Sequence, residues 1–235
     1  LNMTRLAQSL WPEGFSESWR FVQGPENHDI VYNGRELRIA RLGDPDHPRS
    51  WFARSRARVA TGLSLTAPGI PMLFMGQEFL EDKKWSDDFV SHRDLLLYWA
   101  GLDQGDRQML DHLRFTRELL ALRRRLPALR GRGFRTTHVH DHNRVLAFHR
   151  WIEGEGQDVV VILHLANFTR VGYQIGLPGE GTWREVFNSD VYENWVNARV
   201  AGNSGRVVAT AQPLHGFGYS VGLVLPANSI LIFAR

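Results

Sequence analysis

Hydrophobic and polar positions change their rhythm once along this chain, near Pro127. Before that point helical and short strand patterns alternate. Ser50 can cap a helix over Trp51 to Leu65, in which Phe52, Val59 and Leu63 are among the apolar positions, and Pro68-Gly69 stops it. Ile70 to Met75 is then a near-continuous apolar run, the pattern of a strand buried on both faces of a parallel sheet. Upstream, Arg20 to Gln23 reads as a short strand that runs into Gly24-Pro25-Glu26-Asn27-His28-Asp29. A second long helix is expected from about Asp106 to Leu126, because Met109, Leu113, Leu120 and Leu119, Leu122, Leu126 keep helical spacing. Strand, helix, strand, helix implies a parallel sheet with right-handed crossovers.

After Pro127 the pattern shortens. Arg144 to Trp151, Asp158 to Leu165, Gly172 to Leu177, Thr182 to Phe187, Gly205 to Ala209, Gly218 to Leu225 and Ser229 to Ala234 all read as strands. Gly, Pro and Asn clusters separate them, at a spacing that predicts an antiparallel β-sandwich. The expected organisation is therefore α/β over 1–126 and all-β over 127–235, with Pro127, Gly131 and Gly133 forming a short connection. The last helix of the first part must bury its stripe, so the two parts should share an apolar interface.

Composition changes little. With 43% hydrophobic and 23% charged residues, the 235-residue chain is an ordinary globular sequence. Its net charge of +3 comes from 28 Lys and Arg against 25 Asp and Glu, which offers no polyanion-binding excess. The absence of cysteine excludes disulfides, thiolate metal sites and a thiol nucleophile, and fits a cytoplasmic location. No apolar stretch reaches the roughly 18 residues that a membrane span requires, so no membrane partner is expected. Leu1, where a start Met would stand, suggests a piece of a longer polypeptide.

Asn27-His28-Asp29 is the sharpest candidate for chemistry. Side chains leaving the C-terminal end of a parallel strand line the mouth of a barrel, where Asp accepts and His donates hydrogen bonds to sugar hydroxyls. The tripeptide alone reads more readily as a helix cap or turn. Glu78 follows the second strand and could line a groove or serve the structure, and Trp85 on the next loop could stack on a sugar or lie under its own loop. His138, His140 and His142 alternate as metal ligands on a strand would, yet Asp141-His142-Asn143 reads as a hairpin turn, and no metal or other cofactor is expected. The arginines at 123–125, 130, 132 and 135 suit a helix C-terminus better than nucleic acid, because no stacking aromatics are interleaved. Trp183 and Trp195 read as core residues of the sandwich.

Two matched motifs carry a resemblance. Asn27-His28-Asp29 and, some forty residues on, the run from Pro68 to Phe79 resemble the seventh and eighth strand motifs of the α-amylase superfamily barrel, and a sandwich follows in the same order. Leu96-Leu97-Tyr98-Trp99, Leu122 to Leu129, Val145 to Arg150 and Val186 to Asp190 resemble stretches of its branching enzymes. The resemblance implies the last two βα units of a (β/α)8 barrel plus the C-terminal sandwich, acting on glycogen, amylose or starch by retaining α-1,4 cleavage and transfer to a 6-hydroxyl. It implies Asp29 as the carboxylate that stabilises the transition state, His28 as its helper, and Asn27, Glu78 and Trp85 as substrate-binding residues. It also implies that the nucleophile and acid/base lie upstream, so that the chain's first partner is the missing N-terminal part of its own barrel. Many bacterial branching enzymes carry Ser at the position of Asn27 and Glu at that of Ile30. This departure keeps trehalose-releasing trehalohydrolases as an alternative, beside a non-catalytic carbohydrate-binding module.

Overall fold

The computed structural model describes residues 1–192 and 202–235. Trp195 lies outside the described residues. The first helix, α1 (Met3–Ser9), is capped by its own Asn2 and by Asp141 of a distant turn, whose Oδ1 accepts from Met3 N at 2.6 Å. The short strand β1 (Val22–Gln23) follows, then two one-turn helices, α2 (His28–Val31) and α3 (Ile39–Leu42). Helix α4 (Trp51–Thr66) starts on the expected cap, with Ser50 Oγ accepting from Ala53 N at 3.3 Å. It delivers the chain to β2 (Ile70–Pro71), which pairs parallel with β1. Helices α5 (Trp99–Asp103) and α6 (Arg107–Arg125) complete the first half.

The expected strand over Ile70 to Met75 is cut to two residues, and it is not buried on both faces. Ile70 is 48% and Met75 49% exposed, and Val22 on its partner strand is 60% exposed. Pro71 supplies no amide to a ladder, and among the described residues β1 and β2 pair only with each other. Phe52, one of the apolar positions of α4, faces outward. The helix instead buries small and polar residues such as Ala53, Ser55, Ala57 and Thr61, which permit close packing. In α6 the buried face runs through Met109, Phe115, Leu119 and Leu122 and includes His112, Thr116 and Arg123, while Leu113 is half-buried and Leu120 packs half-buried against the same core.

The second half forms β3 (Gly133–His140), β4 (Val145–Trp151), β5 (Asp158–His164), β6 (Arg170–Leu177), β7 (Gly181–Asn188), β8 (Arg206–Ala209), β9 (Tyr219–Leu225) and β10 (Ser229–Ala234). Strand β3 was not among the expected strands; it begins at Gly133, within the stretch read as connection. The sandwich is unequal: a six-stranded sheet ordered β3-β4-β5-β10-β7-β8 faces the two-stranded sheet β6-β9. Leu146, Phe148, Val161, Leu163, Ile230 and Ile232 join one core with Val59, Leu65, Phe115 and Leu119 of the helices. Their alternating neighbours Val145, Ala147, Val160, Ile162, Leu231 and Phe233 join a second core with Ile175, Leu177, Leu223 and Leu225 of the small sheet. The middle of the large sheet is therefore covered on both sides. That is why β5 and β10 read as unbroken apolar runs despite their antiparallel pairing.

Two arginines bind the layers together. Arg150, 1% exposed, donates to the carbonyls of Thr66, Gly131 and Gly133 at 2.8, 2.8 and 3.1 Å. Arg123 donates to those of Leu65 and Gly69 at 2.9 and 3.2 Å. Both thus serve the C-terminal end of α4, where unpaired carbonyls favour cations. Burial pulls Arg150 down to about 9 and Arg123 to about 10, and a neighbouring arginine adds to each effect.

Several histidines are held neutral inside the fold. Burial lowers His112 to about 3, with the charges of Arg58 and Arg49 acting in the same sense. His138 falls to about 4, chiefly by burial and then by the neighbouring His215 and His140. His149, His164 and His215 are also lowered, with burial the largest cause in each. The His138 and His215 rings stack at 4.0 Å, and His215 Nδ1 accepts from Gly176 N, a bond that protonation would remove. Below pH ~6.5 the unfolded chain takes up protons that the folded chain refuses, so stability is lost as pH falls. His112 alone should cost about 2 kcal/mol at pH 5. Urea midpoints should fall steadily from pH 7 to 4, and a midpoint that is flat between pH 7 and 5 would show these rings are not held neutral.

Candidate active site

The end of β1 and the end of β2 open side by side. Met72 N donates to Gln23 O at 2.7 Å, and Gly24 lies so close to Met72 that a Cβ there would sit 2.8 Å from its carbonyl oxygen. Three residues later Asn27 caps α2: its Oδ1 accepts from Ile30 N at 3.0 Å, and its backbone is extended. The cap directs His28 and Asp29 outward as the first two residues of the turn. Their side chains are 64% and 80% exposed, and His28 Nε2 stands 3.4 Å from Asp29 Oδ1. The loop after β2 brings Trp85 to the same place. Asn33 N donates to Trp85 O at 2.8 Å, and the indole packs against His28, Tyr32 and Phe74 at ring separations of 6.2, 6.2 and 5.5 Å. Glu78 sits half-buried on the 3-10 turn Gln77–Phe79 and makes no ion pair or hydrogen bond with this cluster. The structure thus brings His28, Asp29 and Trp85 together, engages Asn27 as their cap, and leaves Glu78 apart.

Beneath this rim lies a polar frame that sequence reading missed. Glu26 and Arg38 form an ion pair at 2.8 Å with both side chains 2% exposed. The second oxygen of Glu26 accepts from Ile39 N, and Arg38 also donates to Met75 O at 2.8 Å. The pair therefore ties the exit of β1, the start of α3 and the exit of β2. Glu81 does similar work: it accepts from the amides of Asp82, Lys83 and Tyr98 and is 2% exposed. Asp82 receives Arg41 and Arg49 at 3.1 and 3.3 Å. Nothing in the local sequence marks Glu26 or Glu81 as buried, because Arg38 stands 12 residues from Glu26 and Tyr98 stands 17 residues from Glu81.

Residues 136–235 match the family model for the "Alpha amylase, C-terminal all-beta domain". The 1,4-alpha-glucan branching enzyme GlgB of Pseudomonas syringae pv. tomato is 33% identical over 221 residues, which is 93% of this chain and 28% of that enzyme. The chain belongs to the α-amylase superfamily. A second such relative, the branching enzyme GlgB of Paramagnetospirillum magneticum, is 32% identical over 218 residues, 90% of this chain and 27% of that enzyme. Among solved structures, a pullulanase of Anoxybacillus complexed with maltotetraose aligns over 94% of this chain and 28% of its own, with a TM-score of 0.61 at 17% identity. An α-amylase of Geobacillus thermoleovorans complexed with acarbose aligns over 91% and 38%, with a TM-score of 0.59 at 20% identity. These likenesses speak to the fold. The chain spans about 28% of the length of the curated relatives it matches.

For this α-amylase superfamily chain the other candidates resolve structurally. His138 stacks on His215 and shares a 2.8 Å hydrogen bond with Tyr173, His140 accepts from Asn143 N, and His142 lies in the turn. Among the described residues no three His, Cys, Asp or Glu are placed to hold a metal. No described helix is long and apolar enough to cross a membrane. Trp183 is fully buried in the second core and donates to Gly179 O.

Proposed function

We propose that this chain forms the C-terminal part of a 1,4-α-glucan branching enzyme. The observation that carries the reading is collinear similarity to such enzymes over 93% of the chain. Residues 1–126 would complete the (β/α)8 barrel and 127–235 its sandwich; the parallel pairing of β1 with β2 across α4 supports the first assignment. The substrate would be an α-glucan such as glycogen, amylose or starch, in the cytoplasm during glycogen synthesis. In a retaining reaction an upstream carboxylate attacks the anomeric carbon, and a second protonates the departing oxygen. The glycosyl-enzyme bond then yields to a 6-hydroxyl of the acceptor. Asp29 would stabilise the positive charge that develops on the sugar, and His28 would hold the same ring. Asn27 would orient both, Trp85 would stack on a neighbouring glucose, and Glu78 would line the groove below.

One exposed carboxylate beside an imidazole and an indole can hold a sugar but cannot break its bond, since the retaining pair must stand about 5 Å apart. The purified 235-residue chain should accordingly show neither branching nor hydrolysis on amylose, by iodine staining and reducing-end release at high protein concentration. Activity that survives Asp29→Ala would reveal a catalytic centre elsewhere in the chain. With the upstream segment present, new α-1,6 linkages are expected, and free sugar alone would favour the hydrolase alternative.

A further inference from the structure

A cleft of about 730 Å³ opens between the segment following α1 and the paired ends of β3 and β4. It shares no residue with the His28, Asp29 and Trp85 cluster. Trp11, Phe134 and Trp151 supply its rings, and Arg132 and Glu153 supply charge. Both indoles are fixed in advance. Trp11 Nε1 donates to Phe15 O at 2.7 Å, and its ring lies at 24° to that of Phe134, 6.1 Å away. Trp151 stacks on His149 at 4.6 Å and covers Gly133, where a Cβ would sit 2.4 Å from the indole, so only glycine lets the ring lie against the strand. Arg132 meets Glu17 at 2.8 Å on the rim, with the arginine side chain 74% exposed.

Rigid aromatic plates edged by acceptors and a forked donor suit one ligand chemistry. A sugar ring offers C–H faces to the plates and hydroxyls to the rim. One arginine against two glutamates gives no cationic excess for a phosphate, and the charged rim is wrong for a lipid chain. We propose that this cleft is a second carbohydrate site, for a run of α-1,4-linked glucose units. The choice of glucan rests on the function proposed above.

The test is binding of maltoheptaose to the full 235-residue chain, read by tryptophan fluorescence and by retardation in gels containing amylopectin. Trp151→Ala should weaken binding at least fivefold. The double variant Arg132→Ala/Glu153→Ala, confined to exposed groups, should do the same and carries the test should Trp151→Ala lose its native circular dichroism. Phe168→Ala, an exposed ring elsewhere, should change nothing. Undiminished binding in the double variant, loss confined to Trp85→Ala, or no binding by the unaltered chain at tens of millimolar would each overturn the cleft. The branching reading stands or falls separately, on the α-1,6 linkages made when the upstream segment is present.

Discussion

Asp29→Asn, in a polypeptide carrying this chain behind a segment that bears the nucleophile and acid, is expected to cut turnover a hundredfold or more without unfolding the protein. The substitution keeps size and shape. The Asp29 side chain is 80% exposed and bears no part of the frame below it, which rests on Asn27, Glu26 and Arg38. What it removes is a full negative charge where an oxocarbenium-like transition state needs one. Losing a strong preorganised contact of this kind costs about 3 kcal/mol of barrier, which is roughly a hundredfold in rate. The loss should fall on kcat more than on KM, because the neutral ground state gains less from the charge. Near-normal kcat, with melting unchanged, would reduce Asp29 to a surface residue of a capped turn.

The largest effect on stability is expected at Arg150. Arg150→Met keeps an unbranched apolar stem but ends short of the guanidinium's place, and so strands the carbonyls of Thr66, Gly131 and Gly133 that now receive it. A buried group left without its partner costs about 1–3 kcal/mol. Some of this returns, because a charge no longer has to be desolvated. A net loss of roughly 3 kcal/mol is expected in urea unfolding. Arg150→Lys should not rescue it, since an ammonium cannot reproduce the planar fork. A loss below about 1 kcal/mol would mean that the carbonyls find other donors.

The contrast between these sites explains what could be seen in the sequence. Repeating elements were legible: α4 with its Ser50 cap, α6, and most strands of the sandwich, because period and punctuation are local properties. Position relative to distant chain was not. Phe52 has the hydrophobicity of a core residue, but α4 turns it outward and packs through alanine and threonine. Ile70 to Met75 has the composition of a buried strand, yet how many strands flank it is not written in those residues. The Asn27, His28 and Asp29 motif was visible as residue types, and so was Trp85. Their meeting depends on a backbone bond from Asn33 to Trp85, and their support on Glu26 finding Arg38.

The doubly covered middle of the large sheet leaves a problem of alignment. In most antiparallel strands a slip of one residue throws apolar side chains into water, and that penalty fixes the pairing. Strand β10 has no such safeguard, because Ile230 and Ile232 face one core while Leu231 and Phe233 face the other. Shifted by one place it would still be greasy on both sides. The alignment must come from its ends. Ser189 Oγ accepts from Ile230 N at 2.9 Å at one end, and Arg235 and Asp158 exchange backbone bonds of 3.0 and 3.3 Å at the other. An irregularity between Ile232 and Phe233 adds a local mark to its register against β7. The last strand is thus indexed by its polar stops.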